Sequence, residues 1–240
     1  MPIFPLRDFI VSQKTPLAQE AFSLTLQPHD GSPMFSFQAG QWVMLYLDGP
    51  DGKPWKAPFS IASAPSESTE SFELAIKVYG DFTRLAQGLR VGDVVRIQGP
   101  FGVFCLRPGT EPLVMIAAGI GITPLRSMYR EMEMQQDERP VTLLYTNRTQ
   151  RGIAYEAELQ ERVARDPRFR LVSTLTGEDD IPDWKGEYGR ITHETLRRHI
   201  PDFSVCEYVM CGPKTFMDEM REALANEGVD VLKKVRKEIF

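Results

Sequence analysis

The sequence is poor in cysteine, with Cys105, Cys206 and Cys211 the only three in 240 residues. Cys206 and Cys211 read as one strand, which sets them roughly 16 Å apart. A disulfide needs Cα atoms within about 7 Å, so this reading excludes an internal bridge between them. There is no Cys-x4-Cys-x2-Cys array, no paired Cys-x-x-Cys and no His-Glu-x-x-His, and the histidines are scattered at positions 29, 193 and 199. Iron–sulfur and other metal chemistry is therefore not expected of this chain. Long apolar runs are also missing. The longest uncharged, mostly apolar stretch, Leu113 to Leu125, is too short to span a bilayer and is broken by Gly119, Gly121 and Pro124. A cationic excess is absent as well: 28 Lys and Arg stand against 33 Asp and Glu, a net charge of −5, which excludes a general nucleic-acid binder. Met1 to Asp8 shows no basic segment leading into an apolar run, so no signal peptide is expected and the cytoplasm is the expected location.

What is present is an ordinary globular composition, with 42% hydrophobic and 25% charged residues, in a chain long enough for two modest domains. The first half predicts short strands at Phe22–Leu26, Trp42–Leu47, Phe72–Tyr79 and Val94–Ile97, bounded by turn residues such as Gly40, Asp48 to Gly52 and Gly92-Asp93. One helix is predicted over Phe82–Leu89, and Ala64 to Ser71 reads as a mobile, serine-rich connection. Strands at such spacing point to a small antiparallel barrel. From about Glu111 apolar strands (Leu113–Ala118, Val141–Thr146, Arg170–Leu175, Glu207–Cys211) alternate with helical stretches (Leu125–Gln136, Tyr155–Arg165, His193–His199, Lys214–Asn226). That alternation indicates a doubly wound parallel sheet. The expected organisation is an N-terminal β-barrel over residues 1–108 and a C-terminal α/β domain over 109–240.

The strand Leu113–Ala118 runs directly into Gly119-Ile120-Gly121-Ile122-Thr123-Pro124. Two glycines let a backbone approach a diphosphate closely, and Pro124 suits the first position of the following helix, where no donor is needed. Proline stands in place of the third glycine of the usual dinucleotide fingerprint, so this is a variant loop. The second strand ends in Tyr145-Thr146-Asn147-Arg148 rather than in the acidic residue that often marks NAD enzymes. Late in the chain, Tyr208 to Cys211 reads as a strand running into Gly212-Pro213, and its carboxyl end is where an open α/β sheet binds ligands.

Taken in order, Ala57-Pro58-Phe59-Ser60, Gly119-x-Gly121-x-Thr123-Pro124, Cys211-Gly212-Pro213 and Glu238-x-Phe240 resemble the ferredoxin–NADP reductase superfamily. The resemblance covers nearly the whole chain apart from its first twenty residues and the serine-rich connection. It implies a flavin-binding barrel followed by an NAD(P)-binding domain, with FAD (FMN less favoured) and NADPH or NADH as cofactors. In that family an Arg-x-Tyr-Ser pattern holds the flavin; here Phe59 and Ser60 are kept, while Ala57 replaces the arginine and Lys56 points to the opposite face. Lys77-Val78-Tyr79-Gly80-Asp81-Phe82-Thr83 resembles the second flavin-phosphate segment, in which the helix start and the Thr83 hydroxyl are expected to meet the diphosphate. Gly99-Pro100-Phe101-Gly102 matches the turn that ends the barrel.

By the same resemblance Cys211 packs near the nicotinamide C4, Glu238 works with Ser60 near the flavin N5, and Phe240 covers the flavin. Asn147, Arg148 and Arg190 would tolerate a 2′-phosphate, whereas Ser173-Thr174 stands where a Ser-Arg pair is expected. An arginine at position 174 would then shift preference toward NADPH. The implied activity is hydride transfer from NAD(P)H to FAD, then single-electron release to a separate acceptor such as an acidic ferredoxin or flavodoxin. Reduction of free flavin or small oxidants, and a non-catalytic regulatory or electron-transfer subunit, are the alternatives. Lys233-Lys234-Val235-Arg236-Lys237 is expected at the electron-exit rim, where it would steer an acidic partner. Acceptor, pyridine nucleotide and oligomeric state stay open at this level.

Overall fold

The computed structural model describes residues 4–178 and 180–239. They form two compact units, the first running to Leu106 and also taking Arg126–Asp137, the second holding Arg107–Leu125 and the residues from Glu138 on.

In the first unit β1 (Arg7–Ala18), β2 (Ala21–Pro28), β3 (Trp42–Asp48), β4 (Pro54–Ser60), β5 (Phe72–Lys77) and β6 (Val94–Phe101) build one sheet, with α1 (Asp81–Gln87) between β5 and β6. The order is β4-β3-β6-β1-β2-β5, and every neighbouring pair is antiparallel. Its two edges meet at a single antiparallel bridge, Ile61 to Leu74, supported by the Ala62 N–H donating to the Glu73 carbonyl at 2.8 Å. Alternate residues point inward, so Phe9 and Val11, Leu24 and Leu26, Val43 and Leu45, and Leu74 and Ile76 all lie in one core. Phe9 and Phe72 meet edge to face at 5.4 Å inside it.

β1 carries a weak strand signal because its pairing with β2 slips twice, between Val11 and Gln13 and again between Pro16 and Ala18. Each bulge breaks the alternation a sequence reading relies on. The segment Gly99–Phe101 is not a turn: it is the last part of β6, with a cis peptide between Gly99 and Pro100, and Gly102 at φ +100° follows the strand.

The serine-rich connection is anchored. The Ser66 hydroxyl donates to Glu131 at 2.9 Å, Glu67 accepts from Arg130 at 2.7 Å, and the Ala64 N–H donates to Glu67 at 2.7 Å. Their partners lie on α2 (Ile122–Met134), whose later residues belong to this unit. There Arg126 donates to the Ala62 carbonyl at 2.8 Å and Ser127 to the Ser63 carbonyl at 2.7 Å.

The second unit holds a parallel sheet of β7 (Leu113–Ala118), β8 (Val141–Asn147), β9 (Phe169–Leu175), β10 (Glu187–Tyr188), β11 (Glu207–Gly212) and β12 (Val235–Ile239), in the order β10-β9-β8-β7-β11-β12. All five pairings are parallel. All six residues of β7 are buried, as expected of a central strand covered on both faces. The helices are α3 (Glu156–Arg165), α4 (His193–His199) and α5 (Lys214–Asn226). Leu196 of α4 and Met217, Met220 and Leu224 of α5 pack with Val114, Ile116, Tyr208 and Met210 of the sheet. β12 is the element that a run of Lys and Arg concealed; its backbone pairs along β11, and Val235 packs against the core.

Gly40 adopts φ +101°, and a Cβ there would stand 2.2 Å from the Phe104 carbonyl and 2.4 Å from the Met128 methyl. Gly40→Ala is expected to destabilise the protein by about 2 kcal/mol or more. Gly31, φ +69° in open space, serves as the control, since there alanine meets only the left-handed backbone cost of roughly 1–2 kcal/mol. Urea unfolding of both variants checks this; a Gly40→Ala loss no larger than that of Gly31→Ala would contradict it.

Candidate functional site

In the second unit the chain leaves β7 through a 3₁₀ turn, Gly119–Gly121, and enters α2 at Ile122. Gly119 sits at φ +54°, left-handed backbone that glycine adopts without strain, and nothing lies within 4 Å of where its Cβ would be. The loop therefore leaves room beside the main chain. The Thr123 hydroxyl donates back to the Ile120 carbonyl at 2.9 Å and fixes the turn. Pro124 is the third residue of α2 rather than its first. Its missing N–H still costs nothing, because the whole first turn lacks intrahelical acceptors.

The carboxyl end of β8 differs from the expectation. Asn147 is buried, and its carbonyl accepts from the Thr176 N–H at 2.9 Å. Only Arg148 reaches solvent there. Arg190 is 75% exposed and stands 3.5 Å from Glu219. Thr174 is 1% exposed, and its hydroxyl donates to Thr146 at 2.9 Å. The position at which an arginine was to restore a 2′-phosphate contact thus faces the interior. Glu178, which the sequence reading passed over, accepts from the Gln150 N–H at 2.6 Å. Its signal was its place just past the third parallel strand, at the end where ligands sit.

β11 runs between β7 and β12, pairing Cys211 with Ala117 on one side and with Glu238 on the other. Cys211 is 2% exposed, and burial, followed by the neighbouring Glu238 carboxylate, pushes its thiol well above the ordinary range. It is a neutral packing group, not a thiolate nucleophile. Gly212 lets the chain pass closely here: a Cβ would stand 3.0 Å from both the Ala118 Cβ and the Phe216 ring. Phe240 lies outside the described residues.

The basic run resolves into β12 and the residues before it. Lys233 pairs with Asp230 at 3.4 Å, Lys234 donates to the Ser204 carbonyl, and Lys237 stands 3.7 Å from Asp218. Lys233 and Lys234 precede the strand and Glu238 lies near its far end, a separation of roughly 13–17 Å at strand spacing. Lys237, on β12 itself, is the nearer cation to Glu238.

In the first unit β4 aligns Ala57 with Leu45, Phe59 with Val43 and Ser60 with Trp42. Phe59 stacks on Phe82 of α1, with centroids 5.9 Å apart and planes at 28°. Pro58 is exposed, and the Lys56 ammonium lies 5.7 Å over the Tyr46 ring. At the end of β5, Lys77 is exposed and Tyr79 is 75% exposed. Thr83 is buried and fully engaged: its hydroxyl accepts from the Tyr79 and Gly80 N–H groups at 3.0 Å and donates to the Gly80 carbonyl at 2.9 Å. It caps α1 from within. Among the described residues no cluster of three or more His, Cys, Asp or Glu is placed to hold a metal ion, and no helix is long and apolar enough to cross a membrane.

Two outcomes follow from this geometry. Thr174→Arg is expected to lower stability by about 3 kcal/mol or more, because it buries an unpaired cation, and to leave any NADPH-to-NADH ratio unimproved; urea titration and paired kinetics check both. Iodoacetamide at pH 8.5 is expected to label Cys211 at least about tenfold more slowly in the folded protein than in urea, since a solvated thiol is half ionised there. Equal labelling rates by mass mapping would refute the buried, neutral thiol.

Both units match known domains. The family model of the oxidoreductase FAD-binding domain covers residues 8–105, and that of the oxidoreductase NAD-binding domain covers residues 115–222. NADH-cytochrome b5 reductase 1 of Eremothecium gossypii is 29% identical over 193 residues, 78% of this chain and 67% of that protein. The reductase component DmpP of phenol 2-monooxygenase from Pseudomonas sp. strain CF600 is 35% identical over 188 residues, 76% of this chain and 52% of that protein. The crystal structure of the flavohem-like FAD/NAD-binding domain of nitric oxide dioxygenase from Vibrio cholerae superposes with a TM-score of 0.89 at 22% identity, covering 98% of each chain. The chain spans between about half and two thirds of the length of the curated relatives it matches. With an FAD-binding and an NAD-binding oxidoreductase domain in this order, each carrying its motif at the strand ends described above, the chain belongs to the ferredoxin–NADP reductase superfamily.

Proposed function

We propose that the chain is an NAD(P)H-dependent flavoprotein reductase that feeds single electrons to a separate protein acceptor. The observation that carries this reading is the alignment of Ala117, Cys211 and Glu238 across three parallel strands, two residues before the glycine loop begins at Gly119. A buried neutral thiol and a carboxylate side by side at the carboxyl edge of such a sheet suit a nicotinamide site. When bound, FAD accepts a hydride from the nicotinamide C4 at its N5 and gives the electrons up one at a time.

The chain's own residues bind and orient. Gly119 and Gly121 admit a diphosphate against the main chain, with Thr123 holding the turn in place. Cys211 gives the nicotinamide an apolar neighbour. Phe59, steadied by Phe82, offers an aromatic face to the flavin, and Ser60 offers a hydroxyl to N5. Ser60 and Glu238 are the two groups assigned to proton exchange with the reduced flavin. With Ala57 in place of the arginine and Thr83 engaged, Lys77 is the cation left in that unit's flavin-phosphate segment. A ferredoxin or flavodoxin remains the acceptor type that fits, and the names of the relatives, reductase components of oxygenases among them, support a protein partner.

Ser60→Ala and Glu238→Gln are each expected to slow flavin reduction or the release of electrons on the order of 10²-fold, with the fold left intact. Anaerobic stopped-flow of the FAD-loaded protein with NADH and NADPH, followed by visible absorbance, reads this out. A parent protein that keeps no flavin, or whose flavin neither nucleotide bleaches, would overturn the reductase reading. Parent-like rates in both variants would overturn the residue assignment alone.

A further inference from the structure

We infer that Glu178 is a specificity-determining residue: its carboxylate fills the anion position beside the end of β8, so the chain prefers NADH over NADPH. This rests on the reductase reading above and deepens it.

The loop after β9 is zipped onto the loop after β8. The Thr176 N–H donates to the Asn147 carbonyl at 2.9 Å, the Gly177 N–H to the Arg148 carbonyl at 2.8 Å, and the Gln150 N–H to Glu178 Oε2 at 2.6 Å. Gly177 makes the close approach feasible, because a Cβ there would stand 2.6 Å from Arg148 Cγ and 3.0 Å from its carbonyl oxygen. Arg148 therefore lies across Gly177, and the next residue along brings a carboxylate.

A 2′-phosphate carries nearly two negative charges and seeks main-chain N–H groups and guanidinium groups. One main-chain donor just past Arg148 is the Gln150 N–H, the first of the 3₁₀ turn Gln150–Gly152. Glu178 already occupies it. To take its place a phosphate must expel the carboxylate and then remain near that like charge. A ribose 2′-hydroxyl has no such conflict, since it donates to a carboxylate as it does in NAD enzymes with an acid at the end of the second strand. Here β8 ends in Asn147 and Arg148, and the acid arrives from the neighbouring loop instead.

The test is kcat/KM with NADH and with NADPH for the flavin-loaded parent, Glu178→Gln, Glu178→Ala, and Glu178→Gln combined with Arg148→Ala. Calorimetric binding of 5′-ADP and of 2′,5′-ADP to the same proteins supplies a readout independent of turnover. Glutamine keeps an oxygen for the Gln150 N–H in the free protein and removes the charge, so a phosphate can displace it with no like charge left beside it. The parent is expected to favour NADH, and Glu178→Gln to raise both NADPH kcat/KM and 2′,5′-ADP affinity at least about tenfold. Adding Arg148→Ala is expected to cancel the gain. A parent that prefers NADPH, or unchanged NADPH-to-NADH and 2′,5′-ADP-to-5′-ADP ratios in both single variants, overturns the inference while NADH reduction leaves the reductase reading standing. If neither nucleotide reduces the parent's flavin, the reductase reading and this inference fall together.

Discussion

Parallel pairing of β11 with β7 on one side and β12 on the other fixes which residues stand side by side near the carboxyl edge of the second unit's sheet. Strands in register lie about 4.8 Å apart, so Ala117, Cys211 and Glu238 form a row across the sheet without any side chain having to search for the others. The row holds because β7 is buried along its whole length and because Gly212 carries no side chain where Ala118 and Phe216 close in. The glycine loop begins one residue beyond Ala118, so its height above the sheet is inherited from the same register.

The first unit depends on a different device, a buried charge that is well served. Arg126 is 7% exposed, and desolvating a guanidinium is costly unless its donors find acceptors. It donates to the Ala62 carbonyl, with Glu67 at 3.7 Å and Glu73 at 4.0 Å. Removing one member of such a buried set typically costs roughly 3–5 kcal/mol, mainly through the charge left behind. Next to it the Ser127 hydroxyl satisfies the Ser63 carbonyl, so the strand-like stretch Ile61–Ala64 is held where the sheet ladder has ended.

Sequence alone made much of this legible, for identifiable reasons. Strong periodicity marked α4 and α5, whose observed limits coincide with the expected ones, and an unbroken apolar run marked β7. Backbone pairing without side-chain signal hid β12, and register slips hid β1. Site chemistry was legible in residue type and less so in orientation. The interior direction of Thr174, the engagement of Thr83 and the burial of Asn147 each depend on partners distant in sequence. Glu178 escaped notice because its relevance comes from a hydrogen bond to a residue 28 positions away.

The anchoring of the serine-rich connection bears on how the protein meets proteases. A polar, serine-rich stretch would be expected to thread easily into a protease cleft, which requires several residues to be peeled out in extended form. Here Ala64 is bonded to Glu67, Ser66 to Glu131 and Glu67 to Arg130, so peeling first breaks an ion pair and several hydrogen bonds. The tip between β3 and β4, where Pro50 to Lys53 are exposed, offers an easier first cut. Composition would have nominated one surface segment for nicking, and the bonding pattern transfers that vulnerability to another.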